Sequence, residues 1–120
     1  MATIGDRFSR QAAFPAGLTE ARRKLNATLT EKQFQEAVVA LAETRGFNVF
    51  HDHDSRRNAA GLPDLLLVRP PRLLFAELKA SRGVVRPEQR RWLELLGACP
   101  GVEVHVWRPD DWSTIERVLA

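Results

Sequence analysis

Two short apolar runs on either side of a Pro-Pro pair constrain the fold of this chain more than any other feature. The runs are LLLV, residues 65–68, and LLFAEL, residues 73–78, and Arg69-Pro70-Pro71-Arg72 lies between them. Pro-Pro cannot continue a strand ladder, so the pattern predicts two antiparallel strands joined by a turn. Both runs are apolar at successive positions, which indicates burial on both faces. We therefore expect a sheet that is covered by helices on each side.

The patterns around this hairpin predict an α/β fold. Thr30 fits the N-cap of a helix, Gln33 completes a capping-box pattern, and Gly46 ends that helix after about Arg45. The remaining elements are a strand at residues 47–51, a helix at residues 87–96, an alternating, half-buried strand at residues 102–107 and a short helix after Asp110. The order helix, strand, strand, strand, helix, strand, helix predicts a central mixed β-sheet flanked by helices.

The length of 120 residues predicts one small domain with a single core. Residues 1–29 have no clear periodicity apart from a helical candidate at residues 19–27. We therefore expect an N-terminal arm, partly disordered or a short helix, followed by the folded domain at residues 30–120. No apolar run approaches the roughly 20 residues that span a bilayer, so we expect a soluble protein with no membrane partner.

The basic residues suggest the kind of partner that the protein binds, and the single cysteine suggests the redox state of its compartment. The chain has fifteen arginines and three lysines, and a guanidinium binds phosphate through two donors at once. A polyanionic partner would explain this choice, as would a GC-rich coding bias. The lone Cys99 excludes an internal disulfide and favours a reducing, intracellular compartment. We expect its side chain to be buried as a small hydrophobic group.

The register of the hairpin predicts a pair of carboxylates. If the turn is centred between Pro70 and Pro71, Asp64 lies directly opposite Glu77, with Cβ atoms roughly 4.5 to 5.5 Å apart. Two such groups repel each other and resist burial unless a positive charge lies between them. A divalent cation meets that need, and oxygen ligands favour Mg²⁺ or Mn²⁺ over zinc.

Lys79 is predicted to lie on the same face as Glu77, because side chains two residues apart on a strand share a face. Its ammonium would lie beside the metal, where it can orient an attacking water or neutralise charge on a phosphate. The alternative is an ordinary ion pair at the end of a strand, with Asp64 as a turn residue after Pro63.

These residues resemble a known signature. Pro63-Asp64, the short hairpin and Glu77-Leu78-Lys79 resemble the PD-(D/E)xK nuclease superfamily. The wider frame of GLPDLLLV, LFAELKASRGVVRPEQRRWLELL and VEVHVWRP resembles its VRR-NUC branch, in particular small stand-alone members from phages and bacteria. The resemblance covers residues 30–119.

The resemblance implies a restriction-endonuclease-like core and a Mg²⁺-dependent phosphodiesterase that cuts DNA, in which Mn²⁺ can substitute. Some stand-alone members are dimeric resolvases of four-way (Holliday) junctions, so the expected substrate is branched DNA and the expected assembly is a homodimer. The implied location is the cytoplasm of a bacterial or phage-infected cell.

The resemblance also implies an acidic residue on the first helix, for which the chain offers Glu31 and Glu36. At about 100° per residue, Glu31 lies at the border of the buried face and Glu36 points towards solvent, so we choose Glu31 as a third metal ligand. Its alternative role is a favourable charge in the first turn of the helix. Gln89 occupies the position of a family glutamine that faces the site, where it can contact a metal ligand or Lys79; the alternative is a solvent-facing side chain.

Two segments are expected to contact the DNA backbone. One is the loop after the active strand, with Arg82 and Arg86 on either side of Gly83. The other follows the sequence HDHD at residues 51–54 and consists of Ser55, Arg56 and Arg57. The four side chains of HDHD alternate between two faces in an extended chain and cannot converge on one ion. His51 is a candidate for the outer coordination shell of the metal or for proton transfer.

Three other functions remain open from the sequence. A non-catalytic DNA-binding module on a nuclease-like fold would bind DNA without cutting it. A histidine-based metallohydrolase would depend on His51 and His53 rather than on Asp64. A restriction-type endonuclease would need an element that reads DNA sequence, for which a domain of this size has little material.

Overall fold

The computed structural model describes residues 18–51 and 60–120. Its helices are α1 (Glu20–Asn26), α2 (Glu31–Thr44), α3 (Pro87–Gly97) and α4 (Trp112–Val118), the last preceded by a 3₁₀ turn at Pro109–Asp111. Its strands are β1 (Asn48–His51), β2 (Leu65–Arg69), β3 (Arg72–Leu78) and β4 (Val102–Trp107). They form one sheet in the order β1-β2-β3-β4, antiparallel except for the parallel pair β3–β4. The predicted mixed sheet with flanking helices is confirmed.

The β2–β3 hairpin has the register that the sequence predicts. Leu65 pairs with Ala76, and Arg69 pairs with Arg72 across the turn at Pro70 and Pro71. Asp64 precedes Leu65, and Glu77 follows Ala76. This register therefore places Asp64 and Glu77 at the same end of the hairpin.

Helices cover the sheet on both faces, but unequally. On one face, α2 and α4 pack against β2, β3 and β4 in the main core, which includes Phe34, Val38, Leu65, Leu74, Ile115 and Leu119. On the other face, α3 packs mainly against β4, where Leu93 contacts Val85 and Val104. Trp107 differs from the half-buried pattern predicted for β4: it is 2% exposed, because its face of the strand lies in the main core.

The ends of α2 follow local chemistry. The Thr30 hydroxyl accepts a hydrogen bond from the Gln33 backbone N–H at 3.1 Å, and the Gln33 side chain accepts one from the Thr30 N–H at 2.9 Å. Gly46 has a φ of +86°, a conformation that glycine adopts at little cost and that ends the helix. Both predicted boundaries of this helix are therefore confirmed, which fixes Glu31 in its first turn.

The helical candidate before residue 30 is also confirmed, as α1. Its last residue, Asn26, is buried and donates a hydrogen bond to the Asp110 carboxylate at 3.0 Å. Arg23 lies 4.0 Å from the same carboxylate. The helix therefore packs on the 3₁₀ turn, while the division into an arm at residues 1–29 and a domain at residues 30–120 stays a prediction.

The expected burial of Cys99 is wrong. The residue is exposed and follows α3, and its thiol donates to the Leu95 carbonyl at 3.5 Å. Since α3 ends before reaching it, its position in the turn towards β4 faces solvent. Within the described residues, no helix combines the length and apolar character needed to cross a membrane.

Candidate active site

Three carboxylates converge at one end of the hairpin. Asp64 immediately precedes β2, Glu77 lies near the end of β3, and Glu31 comes from the first turn of α2. One carboxylate oxygen from each residue lies within 4.8 Å of the others. The Asp64 carboxylate also accepts a hydrogen bond from the Leu78 backbone N–H at 2.8 Å, which ties it to the neighbouring strand. We call Glu31, Asp64 and Glu77 the acidic cluster.

The angular position of each glutamate around α2 predicted which of the two reaches this cluster. Both glutamates are exposed, but Glu31 lies in the cluster, whereas Glu36, on the same helix, lies outside it.

Burial and mutual repulsion disfavour the ionised forms of the three carboxyls in the acidic cluster. Burial, together with the negative charge of Asp64, raises the pKa of Glu77 to about 8, although Lys79 opposes the rise. Burial also raises the pKa of Asp64, against the opposing hydrogen bond from Leu78. Burial and the charge of Asp64 raise the pKa of Glu31. A cation between the three groups would favour their ionised forms.

Glu77 is held on one side only. It is 1% exposed, and its Oε2 atom accepts a hydrogen bond from Gln89 Nε2 at 2.9 Å and lies 3.2 Å from the Lys79 ammonium. Its Oε1 atom is buried and has no hydrogen-bond partner among the described residues. A buried carboxylate oxygen without a partner is costly, so this atom needs a further ligand.

The donor atoms and the electrostatics of the acidic cluster fit a divalent cation. All of its donor atoms are carboxylate oxygens, which suit Mg²⁺ and Mn²⁺ better than zinc. The unpaired Oε1 atom of Glu77 and the raised pKa values of the three carboxyls are both relieved by such an ion.

Gln89 faces the acidic cluster rather than solvent. Its side chain is buried, and while its Nε2 donates to Glu77, its Oε1 accepts from the Arg86 backbone N–H at 2.9 Å. The second bond closes the first turn of α3 and leaves the amide one orientation. Gln89 therefore fixes the direction of the Glu77 carboxylate.

Two arginines of the loop after β3, Arg82 and Arg86, are exposed, and Arg86 lies near the acidic cluster. The pKa values of Glu31 and Asp64 are raised chiefly by burial, and the charge of Arg86 opposes this rise, although the Arg86 side chain also lies 3.2 Å from Glu88. Because both arginine side chains are exposed, they are accessible to an anionic ligand.

The HDHD segment lies largely outside the described residues, as do Ser55, Arg56 and Arg57. His51 is its described member, and it pairs with Leu65, next to Asp64. Its Nδ1 atom lies 3.4 Å from the side-chain nitrogen of Gln35 on α2. His51 thus lies near the acidic cluster without forming part of it.

One buried charged residue near the site was missed by sequence reasoning. Arg108, which follows β4, is 6% exposed and donates to the Gly83 carbonyl at 2.7 Å. The residues are 25 positions apart, and no periodicity or spacing relates them.

Comparison with known proteins supports the same assignment of fold. The family model of the VRR-NUC domain matches residues 3–110. A solved structure described as a VRR_NUC domain protein is similar with a TM-score of 0.58 and 23% identity, over 75% of this chain and 85% of that one. At that identity the likeness shows the fold alone, and it agrees with a restriction-endonuclease-like architecture. No curated protein matches the sequence.

Proposed function

This chain belongs to the VRR-NUC family, a nuclease-type family, and we propose that it is a Mg²⁺-dependent DNA endonuclease that hydrolyses phosphodiester bonds. The observation that carries the proposal is the convergence of three carboxylates within 4.8 Å beside a buried lysine. The unpaired Oε1 atom of Glu77 also supports the proposal, because a purely structural ion pair would not require a further ligand for this oxygen.

In this proposal, Glu31, Asp64 and Glu77 hold the Mg²⁺ ion, for which Mn²⁺ can substitute. When bound, the ion supplies Lewis-acid stabilisation of the charge that develops on the scissile phosphate and activates water for the attack. Gln89 keeps the Glu77 carboxylate in its orientation through the 2.9 Å hydrogen bond.

Lys79 supplies a positive charge that is itself largely shielded from solvent. It is 8% exposed, and its ammonium lies 3.2 Å from Glu77. A preorganised cation at this position stabilises a phosphorane-like transition state without having to reorganise first. It can also donate a hydrogen bond to the attacking water.

The DNA backbone is proposed to contact Arg82 and Arg86 on one side of the acidic cluster. The segment containing Ser55, Arg56 and Arg57 is proposed to contact it as well, since this segment follows β1 in the sequence and the last residue of β1, His51, pairs with Leu65 next to Asp64. His51 is proposed to act from the outer coordination shell or in proton transfer.

We further propose that the substrate is branched DNA, such as a Holliday junction, and that the enzyme acts as a homodimer. A four-way junction has two strands to cut, and a twofold dimer presents two sites related by the same symmetry. Light scattering of the purified protein measures the stoichiometry; a monomer at working concentration would contradict the dimer.

The central experiment is cleavage of labelled junction, flap and duplex DNA in the presence of Mg²⁺. We expect the wild type to cut branched DNA best, and Asp64→Asn and Lys79→Ala to reduce the rate by about 100-fold or more. Equal activity in all three proteins would overturn the assignment. Binding of the junction by the wild type without any cutting would instead identify a non-catalytic DNA-binding module.

Two glutamates on α2 provide a matched control. Glu31→Gln and Glu36→Gln make the same change in charge on the same helix, but only Glu31 belongs to the acidic cluster. We expect Glu31→Gln to lower the rate by about 10-fold or more and to raise the Mg²⁺ concentration needed for half-maximal activity. Glu36→Gln should match the wild type in both measurements.

A further inference from the structure

The turn that follows β3 lies on the side chain of Lys79. Residues 80–83 form this turn, which the Gly83 N–H closes by donating to the Ala80 carbonyl at 2.9 Å. A Cβ atom added to Gly83 would lie 3.2 Å from Cδ and 3.3 Å from Cβ of Lys79. The backbone of residues 80–83, called here the Lys79 turn, therefore packs against the aliphatic stem that carries the ammonium.

Arg108 holds this turn from the side of β4. Its Nη2 atom donates to the Gly83 carbonyl at 2.7 Å, a short charge-assisted hydrogen bond. Its own backbone is fixed, because its N–H donates to the Asp111 carboxylate at 2.9 Å at the start of the 3₁₀ turn. The preceding residue, Trp107, accepts a hydrogen bond from the Lys79 N–H at 3.0 Å. The backbone at Lys79 and the turn that covers its side chain are thus both attached to the end of β4.

A contact from α1 reaches the same turn. The Ser81 hydroxyl donates to the Asn26 carbonyl at 3.5 Å, at the upper limit for a hydrogen bond. The Asn26 side chain in turn donates to Asp110, two residues after Arg108. Arg108 is therefore the shorter and charged tether of the turn, and Ser81 the weaker one.

Burial of a guanidinium is expensive unless its donors are satisfied. Here the Nη2 donor of Arg108 bonds to the backbone carbonyl of Gly83, which restrains that end of the loop. Lys79 has four rotatable side-chain bonds, and without a fixed turn against its stem the ammonium can leave Glu77 for solvent.

We propose that Arg108 is a positioning residue, which fixes the Lys79 turn against the Lys79 side chain and so keeps the ammonium beside Glu77. The catalytic part of this inference rests on the proposed function, because it takes Lys79 as a group that acts on the scissile phosphate. The positional part can be measured without any DNA.

The first measurement is the reactivity of the three lysines towards an amine-acetylating reagent, followed by mass spectrometry of the full chain. In the wild type, Lys79 should react far more slowly than Lys24 and Lys32, which are exposed and serve as internal references. In Arg108→Met, the acetylation rate of Lys79 should rise towards that of Lys24. In Arg108→Lys, which keeps a charge and a donor, it should remain nearer the wild-type value.

Gly83→Ala tests the same contact from the opposite side without removing any charge. The added methyl group would press on Lys79 and on the Ala80 carbonyl, 3.3 Å away. This variant should also raise the acetylation rate of Lys79. It keeps the test decisive if Arg108→Met fails to fold, which circular dichroism shows.

The second measurement is single-turnover cleavage of junction DNA with Mg²⁺, alongside DNA affinity. Arg108→Met and Gly83→Ala should lower the cleavage rate by about 10- to 100-fold, as expected for a displaced catalytic group, while the Kd for DNA changes little. Arg108→Lys should recover part of the rate. Arg117→Met is the control for loss of one arginine, because that exposed side chain contacts Thr114 on α4; it should match the wild type.

The two parts fail separately. Unchanged acetylation of Lys79 in folded Arg108→Met and Gly83→Ala overturns the positioning role, whatever the activity. A raised acetylation rate with unchanged cleavage overturns the link between Lys79 position and catalysis. A wild type that cuts none of the DNA substrates overturns the nuclease function itself, while the acetylation rates still decide whether Arg108 positions Lys79.

Discussion

Glu77 concentrates the electrostatic cost of the site in a single residue. Its carboxyl is 1% exposed, and burial raises its pKa to about 8. Its Oε2 atom contacts both Lys79 and Gln89, while its Oε1 atom has no hydrogen-bond partner within the described part of the chain. Such a group is stable in either of two states, protonated or bound to a cation, and pH and metal concentration choose between them.

This choice predicts how the stability of the metal-free protein depends on pH. A carboxyl whose pKa is raised from 4.5 to about 8 contributes stability that is full below pH 4.5 and is lost as pH rises towards 8. The raised pKa values of Asp64 and Glu31 act in the same direction. We therefore expect the melting temperature in a metal chelator to fall between pH 5 and pH 8, as measured by thermal unfolding.

Mg²⁺ should remove much of this loss, because in the proposed function it binds the ionised carboxylates of the folded state. At tenfold excess over its Kd, the ion stabilises the folded protein by about 1.4 kcal/mol, and the melting temperature at pH 8 should rise by a few degrees. Glu77→Gln, which lacks the titrating group, should show a smaller fall with pH and a smaller response to Mg²⁺. A response to Mg²⁺ that is equal in the two proteins would contradict the assignment of Glu77 as a ligand.

At the scale of elements, the start of α2 serves both the fold and the site. The capping box of Thr30 and Gln33 satisfies backbone donors at the N-terminal end of the helix. Glu31 directly follows Thr30 and is the first residue of the helix. The buried face of the helix, Phe34, Val38 and Ala42, then docks it on the sheet. Capping sets where the helix begins, and packing sets where it lies on the sheet. Together they place the carboxylate of Glu31 in the acidic cluster.

Thr30→Ala tests this arrangement. Loss of the side-chain cap should lower the free energy of unfolding by about 1 kcal/mol, measured by urea denaturation. Thr44→Ala, at the other end of the same helix, removes an exposed hydroxyl that bonds to the Ala40 carbonyl and should change stability by less than about 0.5 kcal/mol. Equal losses in the two variants would show that the cap contributes nothing specific.

At the scale of the whole molecule, the structure separates arginines that hold the fold from arginines that are accessible to a ligand. Arg69 donates to the carbonyls of Arg45 and Ala120, and Arg72 makes a paired contact with Glu103 at 2.7 and 2.8 Å. These guanidiniums, like that of Arg108, are committed within the chain. The net charge of +3 therefore does not show which of the arginines are accessible to a ligand.

This distribution predicts the salt dependence of DNA binding. Arg82→Ala and Arg86→Ala should each weaken binding and reduce the slope of log K against log salt concentration by about 1, because each would remove one of the proposed phosphate contacts. Fluorescence anisotropy with labelled junction DNA at several salt concentrations measures the slope. Arg117→Ala provides a matched loss of charge, and a reduction as large as that of Arg86→Ala would mean that net charge alone governs binding.

Features that depend on short-range chemistry can be predicted from the order of the residues. The capping box of α2, the hairpin and its register follow from residues within a few positions of each other or from the geometry of one turn. From that register alone, Asp64 and Glu77 could be placed opposite each other, and the angle around one helix was enough to prefer Glu31 over Glu36.

Features that join segments distant in the chain could not be predicted in this way and are known from the folded structure. The burial of Trp107, the exposure of Cys99 and the contact between Arg108 and Gly83 all depend on where helices and turns end on the sheet. The same is true of the bond between Asn26 and Asp110, which are 84 positions apart. Such contacts leave no periodic trace in the sequence, because one hydrogen bond or one packed face requires no repeated pattern; they arise when the core brings its elements together.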